Sequence, residues 1–184
     1  IMADGTLKVG TITTSSGSGT ITLGQSGETV DMSNGTMTLN SSMKNTPAFM
    51  VRIGSSQNIS TGSYTKIAFD TEVYDTDSKF DTSNYRFTPG VVGKYKFELQ
   101  VTIDDLDDQK NMFLKIYKNG SGESTSTTRI RASGTEKTTS WCNWSDTAST
   151  TDYYEAYIQH DIGSTEELRS DYSTIWMGYR LIGA

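Results

Sequence analysis

The sequence predicts an all-β protein, and three observations carry that prediction. Tyr95, Phe97, Leu99, Val101 and Ile103 alternate with Lys94, Lys96, Glu98, Gln100 and Thr102, the period of a strand with one buried and one wet face. Turn-forming runs, among them "GSSQN", "DTSN", "KNGSG", "SGTEK" and "DIGST", punctuate residues 46–184 at the spacing of a β-sandwich. No long segment carries a helical period.

Three regions follow one another along the 184 residues. Residues 1–18 hold a short apolar alternation, Leu7, Val9 and Ile12, before "TTSSGSG". They read as an extended attachment peptide ending in a flexible joint. In residues 19–45, Gly19, Gly27 and Gly35 recur every eight positions, each followed by a short apolar pair: Ile21/Leu23, Val30/Met32 and Met37/Leu39. Strands this short make no core within one chain. Rungs shared among several chains would bury them, so this region reads as a β-repeat shaft; a periodic linker is the plainer alternative. Residues 46–184 form the β-sandwich head, with strands expected over Met112–Tyr117, Ser140–Ser145, Tyr153–Gln159 and Thr174–Ile182. "STEELRSDY" reads equally as a helical turn or a loop.

Composition narrows the function classes. A net charge of −6 disfavours nucleic acid, because no counterions are released by a repelled surface. No run of eighteen apolar residues predicts membrane insertion. "IMADGTLKVG" lacks the basic-then-apolar order of a secretory signal. The single cysteine, Cys142, forms no internal disulfide, and synthesis in a reducing cytoplasm is expected.

Candidate chemistry is sparse. His160 is the only histidine, and no serine stands in a nucleophile-elbow context. Alternation puts Trp141 and Asn143 on one face and Cys142 and Trp144 on the other, and Cys142 has no basic neighbours, which fits a buried thiol better than a reactive thiolate. "DDLDDQ" gathers Asp104, Asp105, Asp107 and Asp108. These are hard oxygen donors suited to calcium, but they lack the spacing and glycine of an EF-hand loop, and such a run is more often a solvated turn. No cofactor is expected, with calcium the one left open. A second acidic stretch, Asp70 to Asp81, is accounted for by turn chemistry; as a pair for glycoside hydrolysis it would need a defined carboxylate separation. Trp141, Trp144, Tyr153 and Tyr157 are candidate recognition aromatics. On the strand at 153–159, Tyr154, Ala156 and Ile158 face the core, which leaves Tyr153, Glu155 and Tyr157 as subunit-contact candidates.

Residues 69–99 resemble the signature of the complement component 1q globular head, a relative of tumour necrosis factor. Its elements fall on Phe69, Asp75, Phe80, Phe87, Gly93, Tyr95, Phe97 and Leu99. "IYKNG", "DYYEAYIQ" and "STIWMGYRLIG" extend the resemblance along the head. It implies a ten-stranded jelly roll that assembles as a homotrimer, with a stalk entering each head. Gly93 is expected to let the chain turn tightly into the strand, where a side chain would clash or require a disfavoured backbone angle. The stalk lacks collagen's period; its module order, with "TLKVGTI" and "NTPAFMVRI", is similar to structural appendage proteins of tailed bacteriophages, marine ones above all. The resemblance implies a non-enzymatic virion fibre, knob or decoration on the particle exterior. The N-terminal segment would contact other virion proteins, and the head would contact a host surface glycan. The alternatives are a cellular bacterial lectin or adhesin with the same head, which requires a secretion route, and a small glycan hydrolase.

Overall fold

The computed structural model describes residues 26–27, 29–31, 33–40 and 43–182. The chain divides into two units, Ile1–Thr38 and Leu39–Ala184. In the first, the described residues form turns and extended chain without a strand, and Val30 and Met37 are exposed. Val30 and Met37 stand in no strand among the described residues; a two-residue strand has nothing to pair with inside one chain, and the rungs expected there are ones shared among several chains. Leu7, Val9, Ile12, Ile21, Leu23 and Met32 lie outside the described residues.

Thirteen strands form among the described residues of the second unit, and no α-helix. The first six are β1 (Ala48–Arg52), β2 (Gln57–Ile59), β3 (Thr65–Lys66), β4 (Thr71–Asp75), β5 (Phe80–Asp81) and β6 (Arg86–Phe87), none longer than five residues. The others are β7 (Gly93–Leu106), β8 (Asn111–Lys118), β9 (Ser121–Arg131), β10 (Glu136–Ala148), β11 (Tyr154–His160), β12 (Glu166–Leu168) and β13 (Ile175–Arg180). They build two antiparallel sheets. Sheet A runs β4–β1–β13–β7–β10, with β12 joining β7 at Ile103 and β2 pairing β12. Sheet B runs β5–β6–β11–β8–β9, with β3 also pairing β11. This is the jelly-roll sandwich that the sequence predicts.

The inner faces interdigitate into one core. Phe49 and Val51 from β1, Tyr95 to Ile103 at alternate positions of β7, and Trp176 from β13 meet Leu114, Ile116, Tyr154, Ala156 and Ile158 from sheet B, all buried. The apolar signature residues are the centre of this core. Ring centroids of Phe49 and Phe87 lie 4.3 Å apart, those of Phe97 and Tyr154 4.5 Å, and those of Phe49 and Trp176 5.0 Å. Asp75 belongs to the signature for another reason. Its carboxylate accepts the Phe80 amide at 2.7 Å and so closes the turn between β4 and β5.

Several expectations need correction. Of the two grounds expected for Gly93, the disfavoured backbone angle is absent, since it opens β7 without a positive φ, and the clash is what the structure holds. A Cβ there would stand 2.6 Å from Nε of the buried Arg180, so the missing side chain is room for the arginine. Asp104 and Asp105 lie within β7 rather than in the following loop, because β10 pairs with the strand as far as Leu106. "KNGSG" turns only at Asn119–Gly120, both at positive φ, the chemistry of a two-residue hairpin. "STEELRSDY" is neither helix nor loop throughout: Glu166–Leu168 joins β2, and a single 3-10 turn spans Asp171–Ser173.

Two candidate interaction faces

Strand registers decide which side chains share an outer face. On sheet A, one row crosses Tyr74, Met50, Met177, Glu98 and Asn143. The next crosses Arg52, Ile175, Gln100 and Trp141, and a third Ala48, Tyr179, Lys96 and Ser145. These positions alternate with the buried ones in β1, β7, β10 and β13, so the rows point away from the core. Trp141 is 58% exposed and its Nε1 donates to Gln100 Oε1 at 3.1 Å. It borders a shallow depression of about 160 Å3 with Glu98, Asn143, Ile175 and Met177. Tyr74 is exposed, and Tyr172 lies beside Arg52 with 5.7 Å between guanidinium and ring. Sheet A thus presents a broad outer face with many apolar side chains and few charges.

Sheet B presents a different outer face. Tyr157 stands between Lys115 and Lys66, and Glu155 is opposite Tyr117. Glu155 is only 2% exposed. Its Oε1 accepts from Lys66 Nζ at 3.0 Å and from Arg86 Nη2 at 2.7 Å, and Tyr157 Oη donates to its Oε2 at 3.2 Å. Burial pushes the Glu155 carboxyl up, but the donors from Lys66 and Arg86 outweigh it and hold the group below its ordinary range. The Arg86 guanidinium covers the Tyr153 ring at 4.0 Å, and Tyr157 stacks on Tyr117 at 3.9 Å. The expected subunit-contact trio of Tyr153, Glu155 and Tyr157 is therefore already partnered within the chain. Strand alternation locates these residues on the outer face; it does not reveal that β3 and β6 bring cations over them.

The remaining candidates are placed plainly. Trp144, expected as a recognition aromatic, packs inward at 8% exposure against Phe97 and Tyr154. Cys142 is buried, with Sγ 2.8 Å from the Ser126 carbonyl, and burial raises its thiol. His160 is buried with Nε2 2.9 Å from the Ile59 carbonyl; no serine-histidine-aspartate arrangement surrounds it among the described residues. The acidic stretch at 70–81 caps turns: Asp70 accepts the Gly54 amide at 2.7 Å, and Asp81 accepts those of Ser83 and Asn84.

The "DDLDDQ" carboxylates diverge. Asp104 accepts from Arg169 at 3.0 Å, Asp107 from Thr135 at 3.3 Å and Asp108 from the Gly134 amide at 2.7 Å, while Asp105 is exposed. Among the described residues no group of three or more His, Cys, Asp or Glu is arranged to hold a metal ion. The four aspartates do not fit calcium.

A jelly-roll sandwich with its ionisable groups spent on turns and two contrasting outer faces defines a module of the C1q/TNF class. The chain belongs to the C1q domain family, whose profile matches residues 48–141. Domains of this class homotrimerise and are generally non-enzymatic structural or ligand-binding modules. Among solved structures, the chain is similar to Eiger TNF from S. frugiperda. Identity is 9% over 75% of this chain and 95% of that one, with a TM-score of 0.56. It is also similar to murine APRIL at pH 8.0, with 11% identity over 73% of this chain and 98% of that one and a TM-score of 0.55. At such identities the likeness is one of fold. No curated protein matches the chain.

Proposed function

We propose that the chain is a bacteriophage virion structural protein, a homotrimeric fibre, knob or decoration whose head binds a host surface. The outer face of sheet A carries this reading. Tyr74, Met50, Met177, Ile175, Tyr179 and Trp141 spread over four strands, an apolar area of the kind that copies of a chain cover by association. Trp141 and its depression supply an anchor and a recess, the pairing typical of binding hot spots. The virion assignment is supported by module order. Residues 1–18, with Leu7, Val9 and Ile12, attach the protein to the particle; residues 19–45 form the shaft, and residues 46–184 the head. Recognition is binding without chemistry, strengthened by avidity across three identical heads.

Light scattering on the intact chain and on residues 46–184 tests assembly. A trimer for both, reduced to monomer by Trp141→Asp with the circular dichroism unchanged, is the expected outcome. Monomers for both overturn the trimer. Antibodies against the head should decorate intact particles; a trimer absent from purified particles would favour the cellular adhesin instead.

A further inference from the structure

We infer that the outer face of sheet B is a binding surface for an acidic polysaccharide, an inference that rests on the adhesion reading of the head. The residues come from five strands. Arg129, Phe113 and Gln159 form one row; Thr127, Lys115, Tyr157 and Lys66 form the next; Tyr117 and Glu155 form a third. Arg86 reaches the third row from β6, and Arg131 lies opposite Asn111 beyond the first. Among the described side chains, five cations thus face one carboxylate, on a chain of net charge −6. That carboxylate, Glu155, is buried and consumed by Lys66 and Arg86. Lys115, Arg129 and Arg131 enter no ion pair among the described residues. The acids at the rim are engaged: Asp81 caps its own turn, and Asp161 accepts from Asn111.

The surface is held in shape. Arg129 lies 5.6 Å from the Phe113 ring centre and Lys115 5.8 Å from that of Tyr64. A Cβ on Gly122 would come within 2.8 Å of Tyr117 and 2.9 Å of Lys115, so the bare glycine lets both side chains lean across β9. Cations fixed in this way meet an anion without first losing much side-chain freedom, and arginine offers carboxylate or sulfate a two-pronged contact.

The occupied ring faces select the polymer. Tyr117 and Tyr157 cover each other at 3.9 Å, and Arg86 covers Tyr153. Bases bind single-strand proteins by stacking on open rings, and each of these rings already has one face taken. Neutral sugars lose the same platform. What remains are cations and tyrosine hydroxyls on an open sheet, which suit a hydroxyl-rich chain bearing carboxylate or sulfate groups. Assembly through sheet A leaves this face outward on each head.

The test uses the intact chain with alginate, dextran sulfate, neutral dextran and oligo-dT by biolayer interferometry, with light scattering on the same samples. Binding to alginate, to dextran sulfate or to both is expected, the two identifying carboxylate or sulfate as the recognised group. It should weaken at least tenfold in Lys115→Glu/Arg129→Glu and fall with added salt. Lys115→Gln/Arg129→Gln, which adds no charge, should weaken it in the same direction and serves if the reversal does not fold. Four results overturn the inference: no binding to either acidic polymer, unchanged binding in the variants, equal binding to neutral dextran, or oligo-dT held more tightly by the same residues. A wild-type trimer that binds neither polymer leaves the assembly reading standing. A monomer that binds through Lys115 and Arg129 does the reverse.

Discussion

Glu155 concentrates more of the fold's electrostatics than any other side chain described above. It takes Lys66 from β3 and Arg86 from β6 onto β11, where β3 pairs at two positions and β6 at one. The ion pairs therefore supplement backbone ladders too short to hold that edge alone. Glu155→Gln leaves two cations without their counter-charge, a loss of about 1–3 kcal/mol at neutral pH. The sign with pH follows from linkage. The folded carboxyl lies below its ordinary value of 4.5, so the charged pair stabilises the fold above that value and the contribution is lost as pH falls through the lowered one. Urea melts of wild type and variant should differ at pH 7 and converge in acid; a gap that persists in acid would place the stabilisation elsewhere. Residue by residue, the sequence reveals the apolar half of this picture. Phe69, Phe80, Phe87, Tyr95, Phe97 and Leu99 are core residues by spacing and by structure. Gly93 is visible as necessary, yet the side chain it makes room for is not, since Arg180 lies far along the chain.

At the level of elements, strands with a strict apolar period are legible and those without are not. β7, β8, β10, β11 and β13 can be read from alternation. β9 escapes because "SGESTSTTRIR" has almost no apolar residues to alternate; β8 sets its place by pairing. β12 escapes because three residues, Glu166 to Leu168, show no period, and "STEEL" has a helix former's composition. The outer faces were invisible for a related reason. Lys66, Arg86, Lys115 and Arg129 are scattered in sequence and become neighbours only through register. β10 also governs the one thiol. Its inward side places Cys142 under β9 with Sγ at the Ser126 carbonyl, and burial keeps the thiol protonated. The folded protein should be inert to a thiol-specific disulfide reagent at neutral pH and react at once in urea. Rapid labelling of the native protein would mean that β9 and β10 separate readily.

For the molecule as a whole, the decisive pairings join distant parts of the chain. β1 lies against β13, and β13 lies between β1 and β7. Folds built on such non-local pairings close large loops before gaining contacts and refold in about milliseconds to seconds. Stopped-flow refolding monitored through the tryptophans should fall in that range. A chain truncated after Thr174 loses Trp176 and the strand between β1 and β7, and should show no cooperative urea transition. A cooperative melt in that truncation would show that sheet B folds on its own.

The position of β13 also bears on the order of events during synthesis. It is the last of the thirteen strands to be translated, yet it fills the middle of a sheet. Until its residues have left the ribosome, β1 and β7 each expose a bare backbone edge, and Phe49 has no Trp176 ring to close over it. The nascent head spends this interval open along its centre, when a neighbouring nascent copy offers it the wrong strand to accept. Slow translation just before β13 would prolong that exposure, and a chaperone that shields β1 would shorten it.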